Sequence, residues 1–163
     1  MLLRTIFLST LILAYECLAF SGPQLLRTTT GRPLTGLAAK ADMTPEEHDI
    51  ALEKAMKAMT AFTNKYLENT STKLCKDMSV PAVVIKGLAE HKVTLGTPLC
   101  PCRFYEDKES EAKDGYWNCP CVPMRERKEC HCMLFLTEEN AFSGEETSIS
   151  FDEVMQSTKS VKS

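Results

Sequence analysis

At 163 residues, with 44% apolar and 25% charged content, the chain has the make-up of one modest globular domain and a tail. Its formal charge of -3 hides a split: residues 1–41 carry four basic residues against one acid, and residues 42–163 carry 15 against 21, so the body stands near -6. A body that acidic excludes bulk nucleic-acid binding, which needs a basic face.

Arg4 precedes an apolar run, Ile6 to Ala14, broken only by Ser9 and Thr10 and too short to span a bilayer. It reads as the core of a signal peptide over about residues 1–19. From Cys17 to Ala41 there is no acid, but there are Arg27, Arg32, Lys40 and a cluster of Ser and Thr, which suits a transit peptide over about residues 20–41. The order, with Leu18-Ala19-Phe20 at the junction, resembles the bipartite presequences of algae with complex plastids. A secretory leader with a basic propeptide is the alternative.

Residues 42–163 then form the working domain, with no membrane segment in the mature form. Thr44-Pro45-Glu46-Glu47 is a capping box with proline at the first helical position, and Leu52, Ala55, Met56, Met59, Phe62, Tyr66 and Leu67 recur on one stripe. The pattern predicts a helix from 45 to about 68. A second helix is predicted from near Ser79 to Gly96, burying Val80, Val83, Val84, Leu88 and Leu95, with His91 solvated in its last turn. A short charged helix, Glu106 to Lys113, ends at Asp114-Gly115, and Ser150-x-x-Glu153 opens a last helix with Phe151 and Val154 inward.

Six of the eight cysteines form three Cys-x-Cys pairs, Cys100/Cys102, Cys119/Cys121 and Cys130/Cys132. One tetrahedral centre uses four thiolates, so two sulfurs are left to react with each other. Pro101 and Pro120 fix φ between the pairs and preorganise the loops. Spacing leaves three readings open: a structural zinc site, a secreted non-enzymatic framework stapled by disulfides, or a thiolate-bound cluster beside a redox dithiol.

Leu99-Cys100-Pro101-Cys102-Arg103 and the run from Trp117 through Cys119-Pro120-Cys121-Val122-Pro123-Met124-Arg125-Glu126-Arg127-Lys128-Glu129-Cys130-His131-Cys132 to Leu136 closely resemble the catalytic chain of ferredoxin-thioredoxin reductase. The resemblance reaches upstream through Ala82 to His91 and covers most of residues 45–143. It implies a mainly α fold, a small helical domain wrapped around a cysteine-rich iron-sulfur loop region. It also implies that Cys100, Cys119, Cys121 and Cys130 hold a 4Fe-4S cluster and that Cys102 and Cys132 form the active disulfide. Ferredoxin is then the donor, thioredoxin the substrate attacked by Cys102, and a variable chain the heterodimer partner, in a plastid stroma.

A plant-type ferredoxin near about -400 mV against a thioredoxin near about -270 mV leaves roughly 130 mV, or about 6 kcal/mol for two electrons. His131, between a ligand and a redox thiol, is expected to donate a proton or stabilise charge. Arg125, Arg127 and Lys128 are expected to raise local potential or to meet acidic ferredoxin. Trp117 is expected to pack over the cluster loop, and Cys75 to be a buried small hydrophobe. Phe104 stands where many relatives carry His, which removes a second titrating group beside Cys102.

Overall fold

The structure, a computed structural model, describes residues 43–160. The predicted presequence, residues 1–41, lies outside the described residues. Helix α1 spans Pro45–Glu68, as expected. Thr44 caps it reciprocally: the Glu47 N–H donates to Thr44 Oγ1 at 3.3 Å and the Thr44 N–H to Glu47 Oε2 at 2.9 Å. Ala55, Met56, Met59 and Leu67 are buried along the predicted stripe. Thr60 and Thr63 are buried beside them, and Thr60 settles its hydroxyl on the Met56 carbonyl at 2.9 Å.

Helix α2, Ser79–Leu95, ends at Gly96, whose φ of 85° only glycine adopts without strain. Its buried face differs from expectation. Pro81, Ala82, Val84, Ile85, Leu88 and Ala89 point inward, whereas Val83 is 44% exposed and Val80 and Leu95 are half-buried. The helix packs against both α1 and the last helix, so its apolar surface is broad and periodicity cannot pick one stripe.

Helix α3 spans Lys108–Asp114 and starts later than expected because Asp107 is its cap, accepting from the N–H groups of Glu109 and Ser110, both at 3.0 Å. Helix α4, Val122–Arg127, was not foreseen. Helix α5, Phe151–Ser160, opens on the predicted Ser150/Glu153 box and buries Val154 completely, with Phe151 half-buried. Asn64 on α1 clasps the chain before α5, donating to the Ile149 carbonyl at 2.9 Å and accepting its N–H at 3.0 Å.

The fold is thus mainly helical, with no strands among the described residues and three isolated bridges. One bridge, Lys73 to Leu136, brings the turn after α1 against the chain that follows the third cysteine pair. Leu134, Phe135 and Leu136 are 0%, 0% and 3% exposed, and Phe135 packs its ring 4.4 Å from that of Tyr66. That anchor seats the cysteine-rich loops on α1 and α2.

Candidate functional site

Each cysteine pair sits on a short loop fixed at its ends. The Cys100–Cys102 loop follows α2, and the Leu99–Asn118 bridge ties it to the second pair: Cys100 N–H donates to Trp117 O at 3.0 Å, and Cys119 N–H to Pro98 O at 2.9 Å. Pro101 lies on α2 at Gly87, where an added Cβ would stand 2.6 Å from the Pro101 Cβ. Tyr105 is buried and donates its hydroxyl to the Cys100 carbonyl at 2.9 Å.

Cys119 precedes a cis proline, and Cys121 is the N-cap residue of α4. The third pair follows α4 through Lys128, whose φ of 60° reverses the chain at the helix end. Among the expected site residues, Cys100, Cys121 and Cys132 are buried, Cys119 and Cys130 half-buried, and Cys102 and His131 exposed.

Five of the six sulfur-bearing residues, Cys100, Cys119, Cys121, Cys130 and Cys132, line one small pocket closed by Val84, Leu88, Met124, Leu134 and Phe135. Cys102 lies outside it, in a groove with Val83 and Pro101. The Cys132 and Cys100 sulfurs are 2.8 Å apart.

Contact with the thiols of Cys102 and Cys132 draws Cys100 below the ordinary thiol range. Cys102 and Cys132 are both raised by their contact with the Cys100 sulfur, and burial adds to the rise. Burial raises Cys119, and the neighbouring cysteines add to it. Burial raises Cys130 too, but the N–H groups of Phe135, Leu134 and Cys132 point at its sulfur and oppose the rise.

A second cleft, of about 410 Å³, shares Cys100, Cys121, Cys130 and His131 with the pocket and is also lined by Arg103, Trp117, Arg127, Lys128 and Glu129. Arg103 stacks 3.6 Å from the Trp117 ring centre, so the tryptophan packs over the loop as expected and also carries a cation. Cys75 is 3% exposed, matching the expectation of a buried small side chain, and Phe104 is 90% exposed.

Soft sulfur ligands, an apolar enclosure and backbone N–H groups directed at Cys130 fit iron-sulfur chemistry. No three His, Cys, Asp or Glu side chains are grouped tightly enough for a single ion among the described residues.

Two features escaped the sequence. Helix α4 was signalled by Pro123 in a first turn and by Arg125 and Arg127 in a last one. His91, expected to be solvated, is half-buried with its Nδ1 2.7 Å from the Leu99 carbonyl oxygen, a contact from the helix to the loop that follows it that no helix-end pattern announces.

The family model for the ferredoxin thioredoxin reductase catalytic beta chain matches residues 49–157. The chain is 47% identical over 145 residues to a chloroplastic ferredoxin-thioredoxin reductase catalytic chain of Spinacia oleracea, across 89% of this chain and 93% of the relative. It is 62% identical over 97 residues to the ferredoxin-thioredoxin reductase catalytic chain of Synechocystis sp., across 60% and 82%. Against that of Porphyra purpurea it is 57% identical over 96 residues, across 59% and 81%.

Proposed function

The chain belongs to the ferredoxin thioredoxin reductase catalytic beta chain family and is an oxidoreductase, and from that premise we propose that it carries electrons from reduced ferredoxin to a thioredoxin disulfide. Cys100, Cys119, Cys121 and Cys130 hold a 4Fe-4S cluster in this reading, and Cys102 with Cys132 is the exchanging dithiol. When bound, the cluster supplies a one-electron store between a donor that gives single electrons and a dithiol that changes by two.

The observation that carries the reading is the contrast within the dithiol: Cys102 is exposed and Cys132 is buried behind it. Cys102 gives up its proton and attacks one sulfur of the thioredoxin disulfide, forming a mixed disulfide and releasing one thioredoxin thiolate. Cys132 then attacks the Cys102 sulfur, which releases the second thiolate and leaves Cys102 and Cys132 joined. Two electrons have passed to thioredoxin, and two from ferredoxin restore the dithiol.

His131, which lines the cleft with Cys130 and neighbours Cys132 in the chain, exchanges protons with these sulfurs in this reading. Lys128 and Arg127, the latter already paired with Glu129 at 3.0 Å, give an acidic electron donor a basic place to dock on the same cleft. The names of the plant relatives support a plastid location, and the acid-free stretch from Cys17 to Ala41 behind the apolar leader supports delivery through a bipartite presequence to a complex plastid. A variable chain is the expected partner.

The test is iron, acid-labile sulfide and the visible spectrum of anaerobically purified protein, followed by ferredoxin-driven thioredoxin reduction. About four iron and four sulfide per chain with broad absorption near roughly 400 nm is the expected result. A colourless chain that resists reconstitution would sink the proposal, and zinc and free-thiol content would then separate a zinc module from a disulfide-stapled one.

A further inference from the structure

The peptide on either side of Cys100 is held at several points. Its N–H donates to Trp117, its carbonyl accepts from Tyr105, and Pro101 rests on Gly87. One more tether comes from outside the cysteine-rich region: His91 Nδ1 lies 2.7 Å from the carbonyl oxygen of Leu99, a residue with no exposed surface. A carbonyl only accepts, so Nδ1 carries the hydrogen. The other ring nitrogen, Nε2, lies 3.3 Å from Lys108 Nζ. An ammonium only donates, so Nε2 accepts.

Both contacts demand the same neutral tautomer, protonated on Nδ1. Lys108 is the first residue of α3, so one imidazole joins the last turn of α2, the peptide before Cys100 and the start of α3.

We propose that His91 is a positioning residue for disulfide exchange, fixing the Leu99–Cys100 peptide and thereby the aim of Cys102 toward Cys132, with Lys108 setting its tautomer. The inference rests on the reading of Cys102 as the attacking thiol. His91 itself touches no reacting sulfur. Exchange needs the attacking, central and leaving sulfurs in line, and small misplacements of reacting atoms cost rate steeply.

The experiment compares the cluster-loaded wild type with His91→Leu, His91→Gln, His91→Asn and Lys108→Met. Amide hydrogen exchange across residues 99–102 is measured beside turnover with ferredoxin and thioredoxin. His91→Leu, which removes the donor, is expected to speed exchange and lower kcat by about 3- to 10-fold, the worth of one hydrogen bond, with KM for thioredoxin unchanged. The asparagine amide reaches the Nδ1 position and is expected to recover most of both; the longer glutamine is not. Lys108→Met, at an exposed site, is expected to move both in the same direction by less.

Unchanged exchange and kcat in His91→Leu overturn the proposal, as does a change confined to KM. If His91→Leu fails to fold, equality of the Asn and Gln variants overturns it as well. A wild type inactive with ferredoxin defeats the reductase reading instead, and the hydrogen-exchange comparison still decides whether His91 fixes the loop.

Discussion

The sulfurs of Cys100 and Cys132 lie 2.8 Å apart although 32 positions separate them in the chain. Cys132 touches the buried Cys100 and also interacts with the exposed Cys102, and the proposed roles of these three thiols are separable by substitution.

Replacing Cys102 by Ser is expected to leave iron content intact and to reduce thioredoxin turnover to background, since the exposed nucleophile is gone. Cys132→Ser is expected to accumulate a mixed disulfide with thioredoxin, because the first attack proceeds and the resolving thiol is missing. Cys100→Ser is expected to lose iron. Mass spectrometry and iron analysis read all three, and a stable mixed disulfide formed by Cys102→Ser would reverse the assignment.

His131 stands at the mouth of the basic cleft with Arg103, Arg127 and Lys128. His131→Gln keeps a hydrogen-bonding side chain without a titrating ring and is expected to slow turnover by up to about 100-fold, within the range of general acid–base help. The visible spectrum should stay as it is. Equal turnover in the variant removes His131 from the mechanism.

Gly87 gives Pro101 its seat on α2, with only 2.6 Å between the proline Cβ and the place a new Cβ would take. Alanine ordinarily strengthens a helix by about 1 kcal/mol relative to glycine. Here overpacking is expected to outweigh that gain, for a loss of about 1–3 kcal/mol and a displaced Cys100–Cys102 loop. Chemical denaturation and kcat report the two effects; a stabilised Gly87→Ala protein with full activity contradicts the packing argument.

Phe135 has no exposed surface and stacks against Tyr66, directly after the third cysteine pair. Phe135→Ala is expected to cost about 3–5 kcal/mol through lost burial and the cavity left behind. Phe135→Leu, closer in volume, is expected to cost much less. Denaturation midpoints on the two variants measure the difference.

At α5 the Glu153 carboxyl is held below its ordinary value by the Ser150 N–H and hydroxyl. A depressed carboxyl contributes stability above its unfolded value, near about 4.3, that fades as pH falls through the lower folded value. Protection of the first-turn amides of α5 against hydrogen exchange is thus expected to weaken below about pH 4, and Glu153→Gln to show a shallower decline. A pH-independent first turn in the wild type would falsify the capping role.

Local chemistry made much of this protein legible in its sequence. The Thr44/Glu47 and Ser150/Glu153 boxes and the glycines at 96 and 115 act within a few residues of themselves, so they marked helix ends that the fold keeps. The three Cys-x-Cys pairs and the residues between them likewise identified the family before any contact was known.

What only the tertiary structure decided depends on how helices and loops pack on one another, beyond the few residues over which caps and turns act. Val83 is exposed although α2 packs against α1, α3 and α5, and α4 forms where cysteines and prolines obscured its pattern. His91 finds the Leu99 carbonyl, and Gly87 leaves room for Pro101, only once the loop has folded back on α2. Sequence periodicity records which face of a helix is apolar, but not which of several neighbours will cover it, and that choice belongs to packing.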